Sequence, residues 1–156
     1  MNAIEAVEAA IRLVHENEAL AEYNGECSHE KISVAEDAMG LTFPPSYRRF
    51  IEEFGTCDFG SASFLGVYEV EGKLWGSHGE TLKRRAEGLP DHVIELEEDG
   101  TGGILVLDAS QPDTDGEYPV RIWEQWRTEM EFLSPNFGAY VLETFQDIVD
   151  DDEDED

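Results

Sequence analysis

LTFPPSYRRFIEEFG, residues 41–55, is the stretch whose reading decides the fold. Pro44 and Pro45 hold the backbone extended and then in first-turn helical geometry. Tyr47, Phe50, Ile51 and Phe54 follow at i, i+3, i+4 and i+7, which places three aromatic rings on one helix face. Arg48, Arg49, Glu52 and Glu53 occupy the opposite face, and Gly55 ends the helix. The plain reading is a core helix docked by its aromatics.

Upstream of it, Ile4, Val7, Ile11 and Val14 recur at helical spacing among charged residues, so residues 3–18 read as an amphipathic helix. A polar stretch around Asn24–Glu30 breaks that pattern. Ser33-Val-Ala-Glu36 is a capping-box pattern for a short helix, with Gly40 as its C-cap. Downstream, Phe64–Val70 reads as a strand, with Gly72 turning the chain before Leu74 and Trp75. Ser77-His-Gly-Glu80 looks like a second capping box, for a helix over residues 78–87. His92–Leu96 and Gly103–Leu107 are apolar runs joined by the turn-rich EEDGTG, a hairpin signal. Asp108–Glu117 reads as a loop and Tyr118–Trp123 as the next strand. Ser134-Pro-Asn136 caps a last helix with Phe137, Val141, Phe145 and Ile148 inward.

Helices first, strands in the middle and a helix last argue α+β, with a central twisted, largely antiparallel β-sheet flanked by helices. One domain is expected over residues 1–149. Residues 150–156 are all acidic, repel one another and read as a disordered tail.

The charge balance narrows the partners. Against 37 Asp and Glu stand 10 Lys and Arg, a formal net charge of −27. Phosphate backbones are held by cationic side chains, so nucleic acid is not expected as a ligand, nor is an anionic membrane surface. The complement of this surface is a basic protein. Salt adaptation accounts for the same acidity, because a self-repelling, lysine-poor surface (Lys31, Lys73 and Lys83 only) stays soluble at high salt. Cys27 and Cys57 are too few for a disulfide framework and read as reduced thiols. The first residues, MNAIEAVEAAIRLV, carry acids among their apolar positions and do not read as a signal peptide. A cytoplasmic protein is expected, with a monomer as the simplest state.

Residues 36–55, EDAMGLTFPPSYRRFIEEFG, resemble the signature of the SUKH superfamily. The matching positions are Glu36, Gly40, Phe43-Pro44, Ser46-Tyr47, Arg48, Phe50 and Gly55, with Phe43 standing where Leu is commoner. Two later stretches are similar as well: Gly100–Asp108 followed by Glu117-Tyr-Pro-Val120, and the terminal helix with Phe137 and Tyr140. The likeness is greatest to a Bacillus-type antitoxin branch. It covers roughly residues 3–149, in the family's order. It implies a mixed sheet flanked by helices and a role in binding proteins, since the superfamily includes a yeast cell-wall synthesis regulator and many bacterial immunity proteins. The function expected from it is an immunity protein that neutralises a cognate toxin, a nuclease in the leading reading, by occluding its active site. The alternative is a non-catalytic regulator or scaffold with a cell-wall or signalling partner.

Enzyme signals are weak. Carboxylates are so abundant that chance supplies acid/base pairs, and no spacing singles out two of them. His15, His29, His78 and His92 lack metal-ligand spacing. There is no nucleophile elbow, and Gly100–Gly103 precedes a strand where a phosphate-cradling loop must open a helix. Placing Gly116 at the invariant glycine of a calcium loop puts Gln111 and Ile122 at essential ligand positions, so Asp113–Glu117 is read as an acidic turn. No catalytic residue, metal or cofactor is expected. An unrecognised hydrolase would instead require a pocket converging on titratable residues with perturbed pKa values. Candidate toxin contacts are Trp75 and Trp123 as aromatic anchors, with Glu95, Glu97, Glu98, Asp99, Asp113, Asp115 and Glu117 supplying carboxylates. For either tryptophan the plain reading is core packing, and for each carboxylate a solvated charge.

Overall fold

The structure, a computed structural model, describes residues 1–98 and 102–154. It is α+β, with every strand pair antiparallel among the described residues. The first helix, α1 (Ala3–Glu16), opens on Asn2, whose side chain accepts from the Glu5 amide at 2.8 Å while the Glu5 carboxylate accepts from the Asn2 amide at 3.1 Å. Its buried arc runs through Ala3, Ala6, Val7, Ala10, Ile11 and Val14. Ile4, expected inward, falls at the margin of that arc and is 42% exposed.

Next come the short strand β1 (Ala21–Tyr23) and helix α2 (His29–Met39). The capping residue is Ser28, accepting from the Lys31 amide, and not the expected Ser33. The buried positions Ile32, Ala35, Glu36 and Met39 require the helix to begin before Ile32, which leaves Ser33 in its interior. Gly40 is the left-handed C-cap, as expected. Helix α3 (Pro45–Phe54) is the signature helix, and it buries Ser46, Tyr47, Phe50, Ile51 and Phe54.

The single strand expected over 64–70 is two strands. β2 (Cys57–Phe59) and β3 (Ala62–Phe64) complete a three-stranded sheet with β1, while β4 (Val67–Val70) and β5 (Lys73–Gly76) form a separate hairpin. The break falls at Gly66, where a Cβ would lie 1.6 Å from the Gly55 carbonyl oxygen; only glycine lets the two backbones pass. Helix α4 (Ser77–Arg85) follows directly. The Ser77 hydroxyl does not cap it as expected but donates to the Glu95 carbonyl at 2.6 Å.

A four-stranded sheet then runs in chain order: β6 (Val93–Glu98), β7 (Ile104–Asp108), β8 (Val120–Trp123) and β9 (Glu131–Ser134). The β6–β7 pairing is as expected, although residues 99–101 of the expected turn lie outside the described residues. Strands β1, β2 and β9 have no sequence signal of their own, being three or four residues long. The last helix, α5 (Phe137–Asp154), starts where Asn136 accepts from the Ala139 amide at 2.8 Å.

The acidic run expected as a disordered tail from Asp150 is helical through Asp154. Extending an anchored helix needs no new nucleation, and these acids project into solvent where their repulsion is screened. Residues 155 and 156 lie outside the described set.

The main core gathers α1, α3, α5 and one face of the four-stranded sheet around packed rings. Phe50 lies 5.2 Å from both Phe54 and Phe137, and Phe59 lies 4.7 Å from Phe145. A second, smaller cluster of Leu89, Val93, Ile104, Val106 and Trp123 covers the opposite face of that sheet.

Candidate protein-binding surfaces

The polar residues of the signature segment are committed to the fold. Glu36, buried on α2, accepts from the Phe43 amide at 2.7 Å and from the Arg48 guanidinium, so one carboxylate fixes both the 40–43 loop and helix α3. Ser46 donates its amide at 2.8 Å and its hydroxyl at 2.6 Å to the Glu117 carboxylate, and its oxygen accepts from the Gly138 amide at 3.1 Å. Tyr47, fully buried, donates to the Leu65 carbonyl. The Tyr118 hydroxyl donates to the Thr42 carbonyl at 2.9 Å. The three stretches that carried the family resemblance are thereby laced into one polar seam.

That seam corrects the site expectations. Glu117 is 2% exposed, and burial raises its pKa from the usual carboxylate range, against the two bonds from Ser46. It holds the interior together and is not free to meet a partner. Glu95 is also 2% exposed and paired with Arg84 at 3.2 Å, while Thr81 accepts from its amide at 3.0 Å. Trp123 is buried in the smaller cluster, so it is a core residue and not an anchor. Glu95 and Trp123 lie on strands, and burial of the sheet's second face is what the sequence pattern did not reveal.

The remaining candidates reach the surface to different degrees. Glu97 is half-buried and lines a cavity of about 360 Å³ with Ser61, Ser63, Glu80, Arg84 and Glu95. Asp99 lies outside the described residues, as does the side chain of Glu98. Asp113 and Asp115 are exposed, but Asp113 accepts from the Asp115 amide at 2.8 Å and the Glu117 amide at 3.0 Å, so it also shapes its own turn. Trp75 is 41% exposed. It faces Tyr68 across the β4–β5 hairpin, with the Lys73 ammonium 4.1 Å from its ring centroid. The hairpin turn places Glu71 at φ 51, a left-handed conformation uncommon for a non-glycine residue.

A second exposed apolar surface was not anticipated. Trp126 in the β8–β9 connection and Phe132 on β9 are the most exposed aromatics of the chain, at 68% and 55%, and Leu133 adjoins them. A tryptophan in the polar run EQWRTEMEF was the available signal, since no amphipathic pattern there gives it a core to enter.

Burial raises the pKa of both free thiols, Cys57 to about 12, which keeps them protonated and weakly nucleophilic. Among the described residues no group of His, Cys, Asp and Glu is arranged to hold a metal ion, and no helix is long and apolar enough to cross a membrane.

Comparison with known families agrees with the geometry of the seam. The family model SUKH_5, described as SMI1-KNR4 cell-wall, matches residues 2–146. That span takes in all three laced stretches and nearly the whole chain, and the protein belongs to the SUKH superfamily.

Proposed function

We propose that the protein is a non-catalytic immunity protein of the cytoplasm that binds a basic toxin domain and covers its substrate site. The observation that carries this reading is the pairing of exposed large aromatics, Trp75 and Trp126, with a chain of formal net charge −27. Complementary charge accelerates and orients encounter, while a few aromatic anchors supply much of the affinity once water is excluded. A nuclease is the fitting target, because a cleft built to hold phosphate with Lys and Arg attracts a carboxylate-rich protein equally well. Asp113 and Asp115, both exposed, are sequence-predicted acids placed for such contacts.

Co-expression with each protein encoded beside this chain tests the reading. Growth rescue and co-purification with one toxic neighbour are expected, with an association rate that falls as salt is added. If toxic neighbours exist and the chain rescues none of them, or if no neighbour is toxic, the reading fails.

A further inference from the structure

The surface of α5 changes character along a single stripe. Ala139, Leu142, Glu143, Gln146 and Asp147 recur at i, i+3, i+4, i+7 and i+8, and with Ala6 of α1 and Met1 they line a groove of about 420 Å³. Its floor is apolar, made of Ala6, Ala139 and Leu142, and the two helices are brought together at its head by Gly138, where a Cβ would meet the Ala3 carbonyl oxygen at 2.1 Å. The same stripe continues as Asp150 and Asp154, both exposed. No Lys or Arg occurs anywhere in α5, and among the described residues Glu143, Asp147, Asp150 and Asp154 have no cationic partner.

This arrangement is costly for the chain alone. Acids in the last turns oppose the helix macrodipole and one another. An apolar floor ending in a one-sign rim is complementary to a helix that carries aliphatic side chains on one face and Lys or Arg beside them. A second copy of this chain does not fit, because it would bring like charge to the rim.

We infer that the α1–α5 groove is a docking site for a cationic amphipathic helix of a partner protein. Its aliphatic face lies on Leu142 and Ala139, and its cations run over Glu143, Asp147, Asp150 and Asp154. The stripe from Ala139 to Asp154 spans roughly 22 Å, enough for about four helical turns. The inference rests on the groove itself and holds whether or not the partner is a toxin.

The test uses the whole chain and a synthetic probe, a capped leucine–lysine peptide of roughly 14 residues with its leucines on one helical face. A shuffled peptide of the same composition and a leucine–glutamate counterpart serve as comparisons, with binding read by calorimetry and helix induction by circular dichroism. The patterned peptide is expected to bind about tenfold more tightly than the shuffled one and to become helical on binding. Ala139→Gln, which fills the groove without changing charge, is expected to weaken it about fivefold or more, and the triple variant Glu143→Gln, Asp147→Asn, Asp150→Asn about tenfold, with a shallower salt dependence. Trp75→Ala, on the distant hairpin, is expected to leave binding unchanged, and thermal melts verify that each variant is folded. Equal binding of patterned and shuffled peptides, or an Ala139→Gln variant that binds like the wild type, reduces the effect to diffuse charge and overturns the inference. Failure here leaves the toxin-rescue result untouched, and failure of rescue leaves this result untouched.

Discussion

The two faces of the four-stranded sheet share the same backbone and are buried by different means. The inner face sends Ile94, Leu96, Leu105, Leu107 and Val120 into a core walled by the aromatic helices. The outer face alternates apolar Val93, Ile104, Val106 and Trp123 with charged Glu95, Asp108 and Arg121. Those charges are matched: Arg84 meets Glu95, and the Asp108 carboxylate receives Arg121 at 3.2 Å and lies 3.8 Å from His92. Its margin is unfinished, with Phe132 held against the Arg121 guanidinium at 5.8 Å and Trp126 standing further out. One face is therefore devoted to stability, and the other grades from a small core into exposed aromatic surface.

The sheet's edges differ in the same way. On β6, the Ser77 and Thr81 hydroxyls bond the backbone of Glu95, and the Leu65 amide donates to the Leu96 carbonyl, so that edge is closed. On β9 the register with β8 shifts at Val120/Arg121, and Pro135 follows the strand; both features discourage another strand from pairing there. Contacts at that end are expected to run through side chains.

Deletion on the inner face should break the molecule most completely. Phe50→Ala removes a fully buried ring that touches four others, and a loss of about 3–5 kcal/mol is expected in urea unfolding, approaching the whole stability of a domain this size. Trp123→Ala opens the outer cluster, which has fewer neighbours and an adaptable Met130 at its side, so a loss of about 3 kcal/mol, the low end for such a ring, is expected. A Trp123 variant as damaging as the Phe50 variant would mean that the two faces form one cooperative core.

A smaller effect separates the polar seam from both faces. Burial raises the pKa of Glu117 in the folded state. The folded protein therefore holds that proton when the unfolded chain has lost it, and stability falls as pH rises from about 4.5 through the folded-state value. Glu117→Gln cannot ionise, so its unfolding free energy should lack that decline, although it gives up one of the charge-assisted bonds from Ser46. Parallel pH profiles for the two proteins would show that Glu117 does not control this part of the curve. Salt acts on the whole surface: screening 37 acids against 10 bases should raise the melting temperature by about 2–5 °C between low and moderate ionic strength.

Much of this was legible in the chain. The pair Pro44-Pro45 and the aromatic spacing after it located the central helix to the residue, and the two apolar runs with turn signals between them located the hairpin. Capping was legible only where no tertiary contact competed. Asn136 and Gly40 cap as their positions imply, whereas Ser77 is drawn to the β6 backbone and Ser33 sits within a helix already begun at His29. The acids were the hardest to sort, because a carboxylate's letter is the same whether it is solvated, as Asp115 is, or buried beneath a serine, as Glu117 is. That distinction depends on residues 71 positions apart in the chain.

The smallest expected effect on stability bears most directly on binding. Trp126 is two-thirds exposed and lies over Gly102 at the end of the β6–β7 hairpin, so it covers little that water does not already reach. Trp126→Ala should change the unfolding free energy by no more than about 0.5 kcal/mol, in contrast to Trp123 three residues earlier. Under the function proposed above, a ring this exposed serves a contact outside the molecule. In the toxin-rescue assay the same variant, and Trp75→Ala beside it, should therefore weaken protection although the protein remains folded. Full protection by the double variant would place the toxin contact away from both aromatic surfaces and leave the acids and the α5 groove to carry it.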